Sequence, residues 1–430
     1  MKFYIYTLGC KVNIYESEAM AGILEESGRY EPAASPFGKD GAGLVIINSC
    51  SVTEEAEKKA AKFMRRLKRE NPAARVVFTG CMSQVAREKA LSLGADSVMG
   101  NGNRNDILRV CDVTMRGEGG DFVIDHAKGE LFEQLSLKKF ESLTRANLKI
   151  QDGCDCFCAY CIIPYTRGRV RSMTVDNVKK SAGELVASGH REIVLTGINL
   201  GMYGKDNGSN LAEAVEAARG AGAERIRLGS LEIDLLSPEI LKRLSEVPGF
   251  CPHFHTSLQS GSETVLRRMN RKYTPEEYFR RVSVIRDYFE NPAITTDIIV
   301  GFPGETDEEF NESAEFAKRV GFSRVHVFPY SRRPGTVAAR LPGQVPESIK
   351  KHRADIMGRL ALELASDFAE KQLGTLHNVL FETFDGEYNR GHTENYLTVS
   401  VKSEENLKNR IERVKIAGKN GEELIGEFLK

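Results

Sequence analysis

Four cysteines fall within eight residues in Cys154-Asp-Cys156-Phe-Cys158-Ala-Tyr-Cys161. Cys154, Cys158 and Cys161 are spaced so that a short loop can wrap one corner of a cubane 4Fe–4S cluster and bind three irons through thiolate. The fourth iron is then left to a small chelating molecule. A structural zinc site is the other use of such thiols, and Cys156 would complete the four sulfurs that zinc favours. Structural zinc sites usually draw on two separated ligand pairs, whereas these cysteines share one loop, so the spacing points to the cluster. Cys156 reads as incidental.

Three further cysteines stand one to a segment: Cys10 in Thr7-Leu-Gly-Cys-Lys-Val-Asn13, Cys50 in Asn48-Ser-Cys-Ser-Val-Thr53, and Cys81 in Thr79-Gly-Cys-Met-Ser-Gln84. Each follows an apolar run that reads as a strand. In an open parallel sheet the loops at the carboxyl ends of strands line one crevice, so three distant thiols would converge there. Cys111 and Cys251 lack such a context and read as inert core cysteines. Four more loops follow strand-like runs: Gly197-Ile198-Asn199, Ser230-Leu-Glu232, Gln259-Ser-Gly-Ser262 and Gly301-Phe-Pro-Gly-Glu305. Singly each is a turn; together they argue for a cofactor pocket at the carboxyl ends of barrel strands. His255 and His326 lie within strands and read as core or pocket-wall residues.

The elements that position these residues are α/β throughout most of the chain. Strands are expected at Phe3–Leu8, Leu44–Asn48 and Arg75–Thr79, with helices at Ile14–Glu26, Glu54–Glu70 and Val85–Leu93. A capping box at Ser51 and Glu54 starts the second helix. Apolar strands alternating with helices indicate an open parallel sheet. Residues 112–146 read as irregular and polar. The alternation then resumes with strands at Leu148–Gln151, Glu192–Thr196, Arg225–Gly229, His253–Leu258, Thr295–Val300 and Arg324–Phe328, which suggests a partial or complete (β/α) barrel. A helical stretch, Glu347–Leu373, closes it. From Gly374 onward, runs such as Tyr396–Val401 and Arg413–Ile416, with turns at Asp385-Gly386 and Asn420-Gly421, read as a small antiparallel β-barrel. The expected division is therefore 1–112, a connector at 113–146, 147–373 and 374–430.

At 430 residues the chain exceeds one ordinary core. Lys+Arg and Asp+Glu are both 60, so any nucleic-acid contact must come from local basic patches. No apolar run is long enough to span a bilayer. The first ten residues lack the apolar stretch of a signal peptide and read as a strand and a loop. Nine cysteines, an odd number clustered at loops, favour reduced thiols and metal chemistry in a cytoplasmic protein.

The cysteine loop, with Gln151-Asp-Gly-Cys154 before it and Cys161-Ile-Ile-Pro-Tyr-Thr-Arg-Gly168 closing it, resembles the core signature of the radical S-adenosylmethionine superfamily. Together with Cys10, Cys50 and Cys81, and with Gly391-His-Thr-Glu-Asn-Tyr-Leu397, which is similar to a TRAM segment, the chain resembles the methylthiotransferases over essentially its whole length. The resemblance implies a central barrel of the radical type and a TRAM-like terminal barrel. It implies two 4Fe–4S clusters, with S-adenosylmethionine chelating the open iron of one and being split to a carbon radical. The open iron of the other would hold the sulfur that is methylated and transferred. Cys154, Cys158 and Cys161 are the implied ligands of the first cluster, and Cys10, Cys50 and Cys81 of the second. The Gly197–Asn199 loop is implied to take the methionyl amino group, with Tyr160 near the adenine. Ser230, Glu232, Gln259 and Gly301 are candidate cofactor contacts, the last from a loop that only approximates the superfamily motif.

Targets within the family include modified adenosines beside the tRNA anticodon and an aspartate of a ribosomal protein. Lys11-Val12-Asn13 resembles the branch acting on N6-threonylcarbamoyladenosine; the isopentenyladenosine branch usually has Gln-Met-Asn there. A tRNA substrate, an electron donor such as flavodoxin or ferredoxin, and a sulfur source are the implied partners, with no membrane. Lys58, Lys62, Arg65 and Arg69 recur at helical spacing, and a solvated face and a phosphate-contacting face are equally good readings. Arg167, Arg169 and Arg171, and Arg332, Arg333 and Arg340, either meet a backbone or hold local carboxylates. A reading from another class is a non-catalytic, metal-stabilised RNA-binding protein that uses its cysteines structurally.

Overall fold

The computed structural model describes residues 1–38, 41–51, 54–137 and 144–429. The first strands are β1 (Lys2–Thr7), β2 (Glu31–Pro32), β3 (Leu44–Ser49), β4 (Arg75–Gly80), β5 (Ser97–Met99) and β6 (Asp121–Phe122). They form one parallel sheet in the order β2-β1-β3-β4-β5-β6. The helices between them are α1 (Lys11–Glu26), α2 (Glu54–Glu70), α3 (Cys81–Val85), α4 (Arg87–Ser92) and α5 (Ile107–Met115). Every residue of β3 is buried, as a central strand covered on both faces requires. On one face Val45, Ile47, Val76 and Phe78 meet Ala60, Met64 and Leu67 of α2. On the other, Leu44, Ile46 and Val77 meet Met20 and Leu24 of α1 and Ile107 and Val110 of α5. The opposite side of α2 leaves Lys58, Lys62, Arg65 and Arg69 exposed.

Two expectations are corrected here. The helix expected at Val85–Leu93 is two short ones, α3 and α4, broken where Ala86 (φ −141°, ψ 49°) leaves helical backbone. Residues 112–122 are not irregular: α5 runs on to Met115, and β6 pairs with β5. A two-residue strand carries no alternation from which to read it. The capping box expected at Ser51 and Glu54 depends on the Glu54 side chain, which lies outside what is described, as do Val52 and Thr53 of the Cys50 loop and part of the connector.

The central strands are β7 (Arg145–Lys149), β8 (Gln151–Asp152), β9 (Arg171–Ser172), β10 (Glu192–Thr196), β11 (Arg225–Leu228), β12 (Ser230–Leu231), β13 (His253–Thr256), β14 (Ala293–Val300) and β15 (Arg324–Pro329). Two parallel sheets, β11-β10-β7 and β12-β13-β14-β15, make a partial barrel in which the third strand changes sheet at Gly229. The first strand stops before Gln151. After Ile150 the chain forms β8, which pairs antiparallel with β9 and clips the two ends of the cysteine loop together. Capping boxes at Asn210, Thr274 and Thr306 start three of the outer helices. Helix Glu347–Glu370 packs along β15.

Strands β16 (Leu376–Phe384), β17 (Tyr388–His392), β18 (Thr398–Lys402), β19 (Ile411–Asn420) and β20 (Glu423–Phe428) close a barrel around Val379, Phe381, Val399, Val414 and Leu424. Four junctions are antiparallel and one, β18–β20, is parallel. Five strands cannot alternate in direction around a closed ring, so one parallel pair is a geometric necessity. Among the described residues, no helix is long and apolar enough to cross a membrane.

Candidate active site

β1, β3 and β4 are neighbours in the first sheet, so the residues just beyond their carboxyl ends, Cys10, Cys50 and Cys81, stand side by side on one edge. Cys10 is the N-cap of α1 and Cys81 opens α3. Two glycines permit the approach. Gly9 (φ +121°) lies so close to the second loop that a Cβ there would meet Cys50 Cβ at 3.0 Å. Gly80 (φ +93°) would place a Cβ 2.5 Å from Asn48 Oδ1 and Ser49 O. Buried amides tie the loops together. Asn13 Nδ2 donates to Asn48 Oδ1 (3.1 Å), and Asn48 Nδ2 donates to Asn13 O (3.0 Å). Ser49 Oγ donates to Thr79 O at 2.7 Å. No disulfide joins any of the nine cysteines.

The second set is held differently. Cys154, Cys158 and Cys161 lie on the loop between β8 and helix α6 (Ile163–Arg167), all half-buried. Gln151 Nε2 donates to Asp152 O (2.8 Å) and Gly153 O (2.7 Å), while its Oε1 accepts from Asn199 N (2.8 Å). One amide thereby fixes the cysteine loop against the Gly197–Asn199 loop. Ala159 N donates to Met269 O, Asn270 Nδ2 to Phe157 O, and Arg271 Nη1 to Cys158 Sγ at 3.3 Å. Arg271 also grips Glu232 through both terminal guanidinium nitrogens. Burial raises the Glu232 carboxyl, with Arg271 opposing it.

The Cys154 thiol is pulled down to about 7, chiefly by hydrogen bonding from the Cys156 thiol, with Asn199 contributing. Burial pushes Cys161 up to about 12 and raises Cys158, which Arg271 partly offsets. Cys10 is exposed on the wall of a cavity, and desolvation by the protein around it raises its thiol while Arg167 opposes it. Among the described residues, no three His, Cys, Asp or Glu side chains converge on the point a single metal ion would occupy. A cubane binds its three thiolates at three separate irons, a wider spacing than a single ion requires. Asn199 Oδ1 is buried with no hydrogen-bond partner among the described residues, an acceptor that fits an ammonium or amino donor.

Two cavities adjoin these loops. The smaller, about 230 Å³, is lined by Tyr160, Cys161, Gln259, Ile299 and Tyr330. The larger, about 580 Å³, is walled by Cys10 and Lys11 from the first sheet, by Gly197, Ser230, His255 and His326 from the barrel, and by Tyr396 from the terminal barrel. Asp297 and Phe328 line both. The structure thus brings Tyr160 and Gln259 together at one cavity and Gly197 and Ser230 at the other. Asn199 and Glu232 stand beside the cysteine loop. Ile198 is half-buried between its two neighbours. Gly301 lines neither cavity: its N–H donates to Glu305 Oε2 at 2.6 Å, and a Cβ there would strike Lys350 Cγ.

A buried ionic cluster joins the two cysteine regions. Glu16 of α1 accepts from Lys149 Nζ (2.8 Å), Arg167 Nη1 (2.8 Å) and Arg104 Nη2 (2.9 Å). Asp152 pairs with Lys149 and Arg167. Burial alone would raise the Glu16 carboxyl; Arg104, Arg167 and Lys149 outweigh it and hold it at about 2. Arg167 and Arg171 therefore hold local carboxylates, Arg171 pairing with Glu130 at 3.0 Å. Arg169 is exposed and pairs with Asp155. Arg333 pairs with Glu57 of α2. Sequence alone assigns no role to the side chains of Arg271, Gln151 and Lys11. Gln151 and Lys11 lie within recognisable motifs, whereas Arg271 carries no signal, since only the return of its segment beneath the cysteine loop gives it a role.

A family model described as the radical SAM superfamily matches residues 148–317, and one described as uncharacterized protein family UPF0004 matches residues 2–100. The chain is 41% identical over 382 residues to threonylcarbamoyladenosine tRNA methylthiotransferase MtaB of Thermotoga maritima, covering 88% of this chain and 86% of that protein. The Bacillus subtilis protein of the same name is 40% identical, covering 96% and 92%. A tRNA-2-methylthio-N(6)-dimethylallyladenosine synthase of Syntrophomonas wolfei is 36% identical, covering 89% and 86%. Among solved structures, the radical S-adenosylmethionine methyltransferase TsrM of Kitasatospora setae shares the fold. Its TM-score is 0.59 at 14% identity, over 90% of this chain and 81% of that one.

Proposed function

The chain belongs to the radical S-adenosylmethionine methylthiotransferases, and on that premise we propose that it converts N6-threonylcarbamoyladenosine beside the tRNA anticodon to its 2-methylthio derivative. The cofactors of this enzyme family are two 4Fe–4S clusters and S-adenosylmethionine. When bound, they supply a carbon radical and the sulfur that becomes the methylthio group. Adenine C2–H is neither acidic nor attached to a leaving group, so acid–base or substitution chemistry has little purchase on it. The protein's work is to position the reactants and exclude competitors.

In this reading Cys154, Cys158 and Cys161 hold the first cluster and Cys10, Cys50 and Cys81 the second. Asn199 Oδ1 receives the methionyl amino group, while Tyr160 and Gln259 flank the adenine in the smaller cavity. Glu232, steadied by Arg271, stands beside the cysteine loop, and Ser230 faces the larger cavity. Gly301 acts from behind, shaping the loop through Glu305. The observation that carries the reading is the adjoining pair of cavities, one reaching Cys161 and the other Cys10, with Asp297 and Phe328 common to both. A base turned out of its stack could there be presented to both cysteine sites. The exposed stripe Lys58, Lys62, Arg65 and Arg69 would follow the RNA backbone. Such chemistry also needs an electron donor such as flavodoxin or ferredoxin and a sulfur source, in the cytoplasm where tRNA is modified. We also propose three units, 1–112 carried on through α5 and β6, 147–373 and 374–430, a division supported by the hydrophobic clusters of the first sheet and of the terminal barrel, while Tyr15 and Ala19 of α1 pack into the central cluster.

The test is expression in cells lacking tRNA methylthiolation, with digested nucleosides read by mass spectrometry. A methylthio increment on threonylcarbamoyladenosine is expected. An increment on isopentenyladenosine alone would overturn the substrate while keeping the chemistry.

A further inference from the structure

The larger cavity contains several charged or titratable groups, and almost all are committed. Asp297 Oδ2 lies 3.2 Å from His255 Nε2, whose other nitrogen bonds Thr295 Oγ1. Arg324 pairs with Glu422 at 2.7 Å. Burial holds the His253 and His326 imidazoles below their ordinary value, so they stay neutral. Arg145 and Arg227 lie 5.0 and 4.6 Å from the centre of the Tyr396 ring, which lines the cavity, and pair with Glu382 and Glu192. Lys11 is the exception: among the described residues its ammonium makes no hydrogen bond and no ion pair, yet it lines this cavity next to Cys10.

A half-buried ammonium without an anion is costly, and an apolar occupant of the cavity would raise that cost by removing water. An occupant ending in a carboxylate would lower it through a charge-assisted hydrogen bond. The two modified adenosines in the relatives' names differ in this respect. The threonylcarbamoyl arm ends in a carboxylate and a hydroxyl; the dimethylallyl arm is wholly hydrocarbon. We propose that Lys11 is the specificity-determining residue of this cavity, its Nζ donating to the carboxylate of the substrate's N6 arm. The inference rests on the threonylcarbamoyladenosine reading and adds to it the group that reads the arm. Lys11 selects in both directions, by pairing with the carboxylate and by resisting burial beneath a hydrocarbon chain.

The experiment uses the enzyme with both clusters reconstituted, without S-adenosylmethionine, and anticodon stem-loop RNAs titrated by fluorescence anisotropy under anaerobic conditions. One RNA carries threonylcarbamoyladenosine and the other the same arm with its carboxylate converted to a carboxamide. The wild type should prefer the carboxylate by about tenfold or more. Lys11→Met should bind both alike, and Lys11→Arg should retain most of the preference. Iron and sulfide analysis checks that the neighbouring Cys10 site still assembles. A wild type indifferent to the carboxylate, or a preference that survives Lys11→Met, overturns the assignment of Lys11. The cellular nucleoside assay separates the two levels. A wild type that never modifies threonylcarbamoyladenosine sinks the functional reading, whereas one that does so without using Lys11 sinks only this inference.

Discussion

The two cysteine sites are built on opposite plans. Cys154, Cys158 and Cys161 share one loop, clipped at its base by β8 and β9 and braced by Gln151, Asn199 and Arg271. Cys10, Cys50 and Cys81 come from three loops that meet because β1, β3 and β4 are neighbours and that Asn13, Asn48 and Ser49 tie together. The first arrangement is secured by local chain geometry. The second exists only when the sheet does, and it depends on close backbone approach at Gly9 and Gly80. A loop of the first kind is vulnerable chiefly through its few braces; a crevice of the second kind is vulnerable wherever the sheet is disturbed.

The sharpest test separates the two by reaction. Replacing Cys154, Cys158 and Cys161 by Ala should abolish both reductive cleavage of S-adenosylmethionine and tRNA methylthiolation. The same change at Cys10, Cys50 and Cys81 should abolish only methylthiolation. Liquid chromatography of the 5′-deoxyadenosine product and mass spectrometry of tRNA nucleosides read the two activities. Loss of cleavage in the second variant would break the division.

The ionic cluster that joins the regions should have the next largest effect. Glu16→Gln removes the anion facing Arg104, Lys149 and Arg167, and disrupting such a buried set costs about 3–5 kcal/mol. Denaturant unfolding of both proteins measures it. Its pH dependence has a definite sign. Glu16 is held at about 2 against 4.5 for an ordinary carboxyl, so its contribution is full above about pH 4.5 and fades as pH falls toward 2. The difference between wild type and variant should shrink across that window, and a constant difference would contradict the pairing.

Arg271 tests the local bracing of the first site. Arg271→Ala leaves Glu232 buried without its cation and removes the donor to Cys158. Removing a supporting hydrogen bond of this kind typically costs roughly 10–100-fold in metal-site affinity or activity. Cofactor cleavage should fall by that order, whereas Arg271→Lys should restore part of it. The smallest effect belongs to the exposed face of α2. Lys62→Glu with Arg65→Glu should weaken tRNA binding similarly for all sequences. It should also flatten the salt dependence by about one unit of slope for each phosphate no longer neutralised. An unchanged slope would leave the stripe a solvated face.

Much of this architecture was legible in the residues. The Cys154–Cys161 spacing stands by itself, since a ligand loop of that length is defined by chain distance. The apolar runs of β3 and β4 declare their elements locally. Other features left no local trace. β6 is too short to show a period, and the break at Ala86 was hidden by a run of good helix formers. The parallel β18–β20 pair follows from closing an odd-numbered ring.

What the sequence alone determined is the chemistry on offer: two sets of three thiols, their helix and strand settings, and a terminal unit of different period. The tertiary structure decided which groups meet. It placed β1, β3 and β4 side by side, brought Arg271 beneath Cys158, buried Arg167 against Glu16, and turned Lys11 into a cavity whose other charged groups are paired. Propensity and spacing act over a few residues, whereas strand order and cavity walls are set by packing between segments far apart in the chain. Local signals name the donors, and only long-range packing assigns them partners.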